Sequence, residues 1–268
     1  MVSQPVMPVL IAWNTRRWMP VGLGSFRKHF PFWQVLIIDN NPVIGEARWR
    51  EDHEAERLWI RSQPGVIVVQ NPGPSRTHGV AIDVAVEWCR RHRTEFLLHL
   101  EPDCLISGIL WYENLWRGIN SGAWMAGSHR KEYGPIHLTP SLWRVSEIRS
   151  SFDYANRLPD EGHSRFLELF RRDWLLNAIT EAKQDTEFWR TTWDTGQRAW
   201  FDCAVADKAF HAESTEDFEH FWFGSDAYFT EQQLSGRPEL KEYTESAVVD
   251  FRESQSVLPV DPVRPKCT

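Results

Sequence analysis

Cysteine is scarce in this chain, and its spacing excludes the common cysteine-based sites. No two cysteines form a Cys-x-x-Cys pair, so the sequence contains no zinc-ribbon or thioredoxin-type motif. Free thiols in a reducing compartment are the simplest interpretation of such isolated cysteines. The 268 residues include 4 Cys, which are Cys89, Cys104, Cys203 and Cys267.

The sequence also lacks a secretion signal, a membrane-spanning run and a basic block. Residues 1–8 show no basic segment followed by a long apolar one. The apolar runs are strand-sized, well short of the roughly 18 to 20 residues that a membrane-crossing helix needs. With 30 Lys and Arg against 37 Asp and Glu, the net charge is −7, which disfavours nonspecific nucleic-acid binding. We therefore expect a cytoplasmic protein with no transmembrane segment and no nucleic-acid partner.

Tryptophan is the residue in excess, with 15 in a chain of otherwise ordinary composition. Hydrophobic residues make up 42% and charged residues 25%, as in soluble globular proteins, which excludes general disorder and a coiled-coil rod. Indole rings stack on sugar rings and on bases, but they also fill protein cores. The excess hints at carbohydrate binding, while core packing remains the ordinary role of any single Trp.

Four short apolar runs, each followed by polar turn-forming residues, occupy the first hundred positions. Because they are apolar on both faces, they are typical of buried parallel strands. Helix-like stretches separate them, most clearly Thr77–His92, which places apolar residues at spacings of three and four. Strands alternating with helices predict an α/β fold with a mostly parallel sheet, whose ligands bind beyond the carboxyl ends of the strands. The runs are Met7–Trp13, Gln34–Asp39, Val66–Gln70 and Phe96–Leu100.

The pattern is less regular after Cys104. Two strands are predicted, at Ala123–Gly127 and Ile136–Val145, and Pro140 in the second predicts an edge strand or a bulge. A loop-rich aromatic segment follows. Pro, Ser and charged residues increase from residue 232 onward, and residues 256–268 are predicted to form an extended or frayed tail. The predicted helices are Trp111–Ile119 and Glu161–Asn177, and the aromatic segment is Glu187–Trp200.

The strongest local signal for chemistry is the acidic pair Glu101 and Asp103, directly after the fourth predicted strand. Carboxylates two residues apart can reach one cation together, and hard ions such as Mg²⁺ or Mn²⁺ prefer oxygen ligands. A cation held there would stabilise a departing diphosphate. The competing interpretation is local, with Glu101 capping a turn and Asp103 capping the next segment.

Other polar clusters follow the earlier strands. Asp39, Asn40 and Asn41 end the second one, where a carboxylate could accept a hydrogen bond from a nucleobase or ribose, although these residues also simply favour turns. The segment 76–79 (RTHG) opens a helix, and helix N-terminal amides beside a basic residue suit phosphate. Ordinary capping by Thr77 is the alternative.

Five segments taken together resemble the nucleotide-binding half of family 2-like glycosyltransferases with the GT-A fold. They are, in chain order, a strand ending at Asn14, then LIIDNN, VVQNPG, RTHG and FLLHLEPDC. Asp39 matches the nucleoside-binding Asp of that family, and Asp103 matches the last Asp of its Asp-x-Asp metal motif. Glu101 replaces its first Asp. The resemblance covers about the first 125 residues well.

The resemblance implies one GT-A-like domain over residues 1–231 and a C-terminal extension over 232–268. Its nucleotide-binding half would span about 7–125, and its acceptor and catalytic half about 126–231. It also implies a Mn²⁺ or Mg²⁺ cofactor held by Asp103 and His220, with His220 in an aromatic loop. The residues implied at the donor site are Ala12, Trp13, Asn14, Asp39, Asn41, Asn71, Arg76, His78 and Glu101.

The resemblance further implies an acidic general base, for which Asp194 is the best match, beside Trp193 as a sugar platform. Rival acids and two histidines that could approach the diphosphate remain open. These are Asp153, Asp160, Asp185 and Glu187, and His129 and His137.

The implied function is hexosyl transfer from a UDP-type nucleotide sugar to a hydroxyl of a carbohydrate, lipid or small-metabolite acceptor. Two alternatives compete with it. A nucleotidyltransferase would normally carry a glycine-rich loop after the first strand, whereas Asn14–Arg17 contains no glycine. A noncatalytic sugar- or nucleotide-binding module would suit both the excess of tryptophan and the Glu at position 101.

Overall fold

The protein is described by a computed structural model that covers residues 5–41, 47–71, 78–130, 134–148, 207–212, 216–221 and 236–244. The predicted helix Glu161–Asn177 and the aromatic segment Glu187–Trp200 lie outside these ranges.

A seven-stranded sheet forms the centre of the fold, in agreement with the α/β class predicted from the sequence. Each of its strands runs parallel to a neighbour except one, which lies antiparallel to both of its neighbours. Two further short strands form a separate antiparallel pair. Within the described ranges the strands are β1 (Val6–Ala12), β2 (Val35–Asp39), β3 (Val66–Gln70), β4 (Phe96–His99), β5 (Cys104–Ile106), β6 (Met125–Arg130), β7 (Gly134–Arg144), β8 (Ala209–Ala212) and β9 (Phe218–His220).

The strand order of the large sheet is β3-β2-β1-β4-β7-β6-β8, and β5 pairs with β9. Helices alternate with the first four strands, as right-handed crossover connections require. A single 3₁₀ turn, Val145–Glu147, follows β7. The α-helices are α1 (Met19–His29), α2 (Ala47–Ser62), α3 (His78–Arg91) and α4 (Leu110–Asn120).

The core lies on both faces of the sheet because alternate side chains of each strand point to opposite sides. In β1, Val6 and Leu10 pack with residues of α1, α2 and α4. Val9 and Ile11 of the same strand pack with residues of α3. All seven residues of β1 are buried, which explains the continuous apolar run that the sequence shows there.

The prediction that Pro140 would place its strand at an edge is wrong, whereas the alternative of a bulge is confirmed. β7 lies inside the sheet between β4 and β6. Its register against β6 shifts between the pairs Gly127–Ser141 and Ser128–His137. Proline has no N–H for the ladder, so the irregularity at Pro140 removes that residue from the pairing while the rest of the strand stays central.

Residues 236–244, which belong to the predicted C-terminal extension, pack onto α1. Leu240 is 1% exposed and lies in a small apolar cluster with Trp18 and Val21. The ring of Tyr243 covers Gly24, where a Cβ atom would lie 2.7 Å from the ring. Among the described residues, no helix has both the length and the apolar character needed to cross a membrane.

Candidate metal and nucleotide site

Three side chains that could ligate a metal meet beyond the carboxyl end of β4. His220 Nε2 lies 2.8 Å from Glu101 Oε2 and 3.1 Å from Asp103 Oδ1. One ligand atom of each residue lies within 4.8 Å of the others. Asp103 is fully buried, His220 is nearly so, and the Glu101 side chain is 24% exposed. The cluster is therefore closed on the protein side and reachable from solvent through Glu101.

The pairing of β5 with β9 brings His220 to the acidic pair from 117 residues away along the chain. Cys104 lies opposite His220 in this pairing, and the Phe221 N–H donates to the Asp103 carbonyl at 2.9 Å. The expectation that His220 lies in an aromatic loop is wrong, because it is the last residue of strand β9. A strand fixes the direction of the imidazole more firmly than a loop would.

Two other elements hold the backbone of the acidic segment. The Ile106 N–H donates to Ser25 Oγ of α1 at 3.1 Å, and the Glu101 N–H donates to Thr139 Oγ1 of β7 at 2.9 Å. Helix α1 also approaches closely at Gly22, where a Cβ atom would lie 2.5 Å from the Pro102 carbonyl oxygen. The segment that carries Glu101 and Asp103 is thus held from both sides.

The electrostatics of the cluster favour a positive charge between the two carboxylates. Burial by itself lowers the pKa of His220, but the charge of Glu101, hydrogen bonds to Asp103 and Glu101 and the charge of Asp103 outweigh burial and raise the pKa to about 9. Burial, followed by the charges of Asp103 and Glu101, raises the pKa of the neighbouring Cys104 thiol well above its usual value. The imidazole is therefore the group that carries the charge here.

The same three residues fit a divalent cation. Two carboxylate oxygens and one imidazole nitrogen suit Mn²⁺, which accepts both donor types, and to a lesser degree the harder Mg²⁺. A cation would take the place of the proton on His220 Nε2, since imidazole binds metals in its neutral form. The buried Cys104 thiol is outside the group of residues that could hold an ion.

The polar residues that follow β1 and β2 form a hydrogen-bonded network in which Thr15 and Asn41 are buried and Asn14 is partly exposed. The Asn14 N–H donates to Asn41 Oδ1 at 2.7 Å, and Asn41 Nδ2 donates to Glu56 Oε2 at 2.9 Å. Thr15 donates to Glu56 Oε1 from its hydroxyl at 2.6 Å and from its N–H at 3.2 Å. Asn41 and Glu56 are fully buried, so Asn41 supports the strand ends rather than reaching solvent.

Asp39 is equally engaged within the protein. Its Oδ2 accepts from Arg57 Nε at 2.7 Å and its Oδ1 from the Asn41 N–H at 3.1 Å, and the residue is 1% exposed. The Asn40 N–H donates to the Ala12 carbonyl at 2.8 Å, which takes up that oxygen of β1. Sequence analysis missed Glu56 and Arg57, because α2 is charged at so many positions that nothing marks the inward-facing ones.

Of the predicted donor-site residues directly after β1, Trp13 is exposed and Asn14 is partly exposed. Trp13 is 48% exposed, and Asn14 has a φ of 53°, a left-handed conformation that Asn adopts more readily than most residues. Asn71 follows β3 and donates from Nδ2 to Asn40 Oδ1 at 2.8 Å. The exposed Trp13 therefore follows the carboxyl end of β1 directly, next along the chain to the hydrogen-bonded network that starts at Asn14.

Some of the remaining predicted residues lie in described elements, and the others lie outside the described residues. His78 is the first residue of α3, and His129 and His137 lie in β6 and β7. Arg76, the proposed base Asp194 and the neighbouring candidates lie outside the described residues. These candidates are Asp153, Asp160, Asp185, Glu187 and Trp193.

No protein-family profile matches the sequence, and no curated protein matches it. Solved structures with a similar arrangement include the galactosyltransferase LgtC in complex with donor and acceptor sugar analogs, at 11% identity and a TM-score of 0.49, over 92% of this chain and 99% of that one. TarS 1-349 of S. aureus, in complex with UDP-GlcNAc, is 9% identical with a TM-score of 0.46, over 94% of this chain and 72% of that one.

A third is the 4-diphosphocytidyl-2C-methyl-D-erythritol synthase of Anaerococcus prevotii, 8% identical with a TM-score of 0.47, over 91% of this chain and 98% of that one.

Proposed function

We propose that this protein is a GT-A-like, nucleotide-sugar-dependent glycosyltransferase that uses a divalent cation. The observation that carries the proposal is the convergence of Glu101, Asp103 and His220 within 4.8 Å. The cluster lies beyond the carboxyl end of a strand in a mostly parallel sheet, the place where α/β proteins bind ligands. In the sequence it occupies the position of the metal motif in the glycosyltransferases that the chain resembles.

The cation would be held by Asp103 and His220, with Glu101 as the more exposed third ligand. When bound, such an ion supplies charge that stabilises the diphosphate as a leaving group. The protein residues do the rest of the positioning at this corner. Thr139 and Ser25 hold the backbone of the acidic segment, and strand β9 holds the imidazole.

The nucleoside of a UDP-sugar donor would lie over the carboxyl ends of β1, β2 and β3. Trp13 offers an exposed apolar face there, and Asn14 and Asn71 belong to the same edge. His78, the first residue of α3, and Arg76, two positions before it in the sequence, are proposed for the diphosphate, because helix N-terminal amides favour anions. Asp194 is proposed as the base that takes the proton of an acceptor hydroxyl on a carbohydrate, lipid or small metabolite.

The test is donor hydrolysis or transfer by Asp103→Asn, with UDP-glucose, UDP-galactose and UDP-GlcNAc as donors and Mn²⁺ present. We expect the rate to fall by about a hundredfold or more, because loss of an outer-shell partner alone costs roughly 10–100-fold in metal affinity or activity. Glu219→Gln is the matched control. Glu219 precedes His220 in β9, but its side chain is exposed and pairs with Arg237.

Three results would contradict the proposal. Full turnover by Asp103→Asn would remove the metal assignment. Release of pyrophosphate from a nucleoside triphosphate, without sugar transfer, would indicate a nucleotidyltransferase. Tight binding of UDP-sugars by the wild type with no hydrolysis or transfer would indicate a noncatalytic module.

A further inference from the structure

Helix α2 places two adjacent charged residues, Glu56 and Arg57, against the carboxyl ends of β1 and β2. Glu56 is 0% exposed and the Arg57 side chain is 11% exposed. Taking such groups out of water costs free energy that apolar residues of similar size would not cost. Their presence therefore has to be explained by what they hold in place.

Glu56 holds the segment after β1 to the segment after β2. It accepts from the hydroxyl and the N–H of Thr15 through Oε1, at 2.6 Å and 3.2 Å, and from Asn41 Nδ2 through Oε2, at 2.9 Å. Asn41 in turn accepts from the Asn14 N–H at 2.7 Å. These bonds fix the left-handed turn at Asn14 and with it the position of the exposed Trp13.

Arg57 completes the arrangement from the side of β2. Its Nε donates to Asp39 Oδ2 at 2.7 Å, and its Nη2 donates to the Asn41 carbonyl at 3.1 Å. The other oxygen of Asp39 accepts from the Asn41 N–H at 3.1 Å. Both oxygens of this carboxylate therefore have partners inside the protein, and the residue is 1% exposed.

We propose that Glu56 and Arg57 are positioning residues for the nucleotide-binding edge, by which we mean the residues that follow β1, β2 and β3. We call Glu56, Arg57 and the residues they bond the clamp, and we infer that the Asp39 carboxylate belongs to this clamp rather than contacting the nucleobase. The inference rests on the proposed function, because it concerns where the donor's nucleoside lies. The clamp sets the shape of the edge against which a nucleoside packs, whichever base it carries. Buried supporting contacts of this kind hold a site within the small tolerance that binding requires.

The test measures the affinity for UDP, CDP, ADP and GDP in the presence of Mn²⁺ by titration calorimetry, with the melting temperature as a second readout. Glu56→Gln cannot accept from all three donors, and Arg57→Lys loses the paired geometry to Asp39 and Asn41. We expect both variants to bind every nucleotide about tenfold more weakly, by a similar factor for each. Mn²⁺ binding without nucleotide should stay at the wild-type value, because other elements hold the metal cluster.

Asp39→Asn separates the two roles of Asp39. A clamp residue weakens all four nucleotides alike, whereas a residue that contacts the base changes their ranking. Glu87→Gln and Arg90→Lys are the matched controls, because these residues form a partly buried ion pair of 2.9 Å on the helix α3. They should leave all four affinities unchanged.

Thr15→Val and Thr15→Ser provide a milder test that does not depend on removing a buried charge. Valine loses the hydroxyl that Glu56 accepts from and should weaken nucleotide binding, while serine keeps the hydroxyl and should retain wild-type binding.

Binding of nucleotides at wild-type affinity by Glu56→Gln, Arg57→Lys and Thr15→Val, whatever their melting temperatures, would overturn the clamp. A changed ranking in Asp39→Asn would overturn the role of Asp39. Absence of nucleotide binding by the wild type would instead overturn the proposed function itself.

Discussion

His220 joins two carboxylates through a single ring nitrogen, and this gives the metal-free protein a defined pH response. Its pKa is raised to about 9 in the folded state, against about 6.5 in an unfolded chain. The stabilisation is therefore complete below about pH 6.5 and is lost as the pH rises through about 9. We expect the free energy of unfolding of the metal-free protein to fall between these values, measured by urea denaturation in a chelator.

The control for this prediction is His220→Gln, which keeps a polar group and cannot take up the proton. The difference in stability between wild type and variant should shrink as the pH rises from 6.5 to 9. A difference that is constant across this range, or that grows, would show that the histidine is not the charged member of the cluster.

At the level of residues, the sequence predicts site residues that are close to each other along the chain, and it does not reveal those that the fold brings together from distant positions. Glu101 and Asp103 stand out because both follow the apolar run Phe96–Leu100 within three positions. His220 could be connected to them only through a family resemblance, since 117 residues separate it from Asp103. Glu56 gives no signal, because α2 reads ARWREDHEAERLWIRS and charge alone does not tell which side chains turn inward.

The short strands β5 and β9 and the helix α1 decide the geometry of the metal cluster. Gly22 in α1 is the point of closest approach, since a Cβ atom there would lie 2.5 Å from the Pro102 carbonyl oxygen. We expect Gly22→Ala to lower the free energy of unfolding by roughly 1–3 kcal/mol, the usual cost of overpacking, measured by urea denaturation. Mn²⁺ binding should weaken as well, because Pro102 lies between the two acidic ligands.

Gly24→Ala is the matched control in the same helix. It gains the same helix propensity, roughly 1 kcal/mol. The three atoms nearest to its Cβ would belong to the ring of Tyr243, a partly exposed side chain, whereas those nearest to a Cβ at Gly22 belong to backbone. Gly24→Ala should therefore be the more stable of the two and should bind Mn²⁺ as the wild type does. Equal stability of both variants, with unchanged Mn²⁺ binding, would contradict the role given to α1.

At the level of elements, the parallel strands are predictable and the small pair is not. Continuous apolar runs of four to seven residues identify β1, β2 and β3. β5 and β9 have 3 residues each, too few for a periodic pattern, and their pairing depends on tertiary contacts. Pro140 shows the same limit, because the bulge follows from the residue itself but the central position of β7 does not.

For the whole molecule, the sheet explains why one edge collects all of the proposed donor-site residues that are described. The carboxyl ends of parallel neighbours β3, β2, β1 and β4 lie side by side, so residues following each of these strands meet at one edge. The clamp of Glu56 and Arg57 supports the part after β1 and β2, and the metal cluster forms the part after β4. The α/β class could be predicted from the alternation of apolar runs and helix-like stretches. Which residues support the nucleotide-binding edge and which form the metal cluster could be learned only from the side-chain contacts.

The most direct measurement is a titration of the metal-free protein with Mn²⁺, with and without UDP. Binding is monitored by electron paramagnetic resonance and by calorimetry. One Mn²⁺ should bind per chain, bind more tightly in the presence of UDP, and release about one proton at pH 7.5, because His220 must give up its proton. Asp103→Asn should lose this binding, whereas Glu219→Gln should keep it. Absence of Mn²⁺ binding by the wild type, or binding that Asp103→Asn leaves unchanged, would contradict the assignment of Glu101, Asp103 and His220 as the metal site.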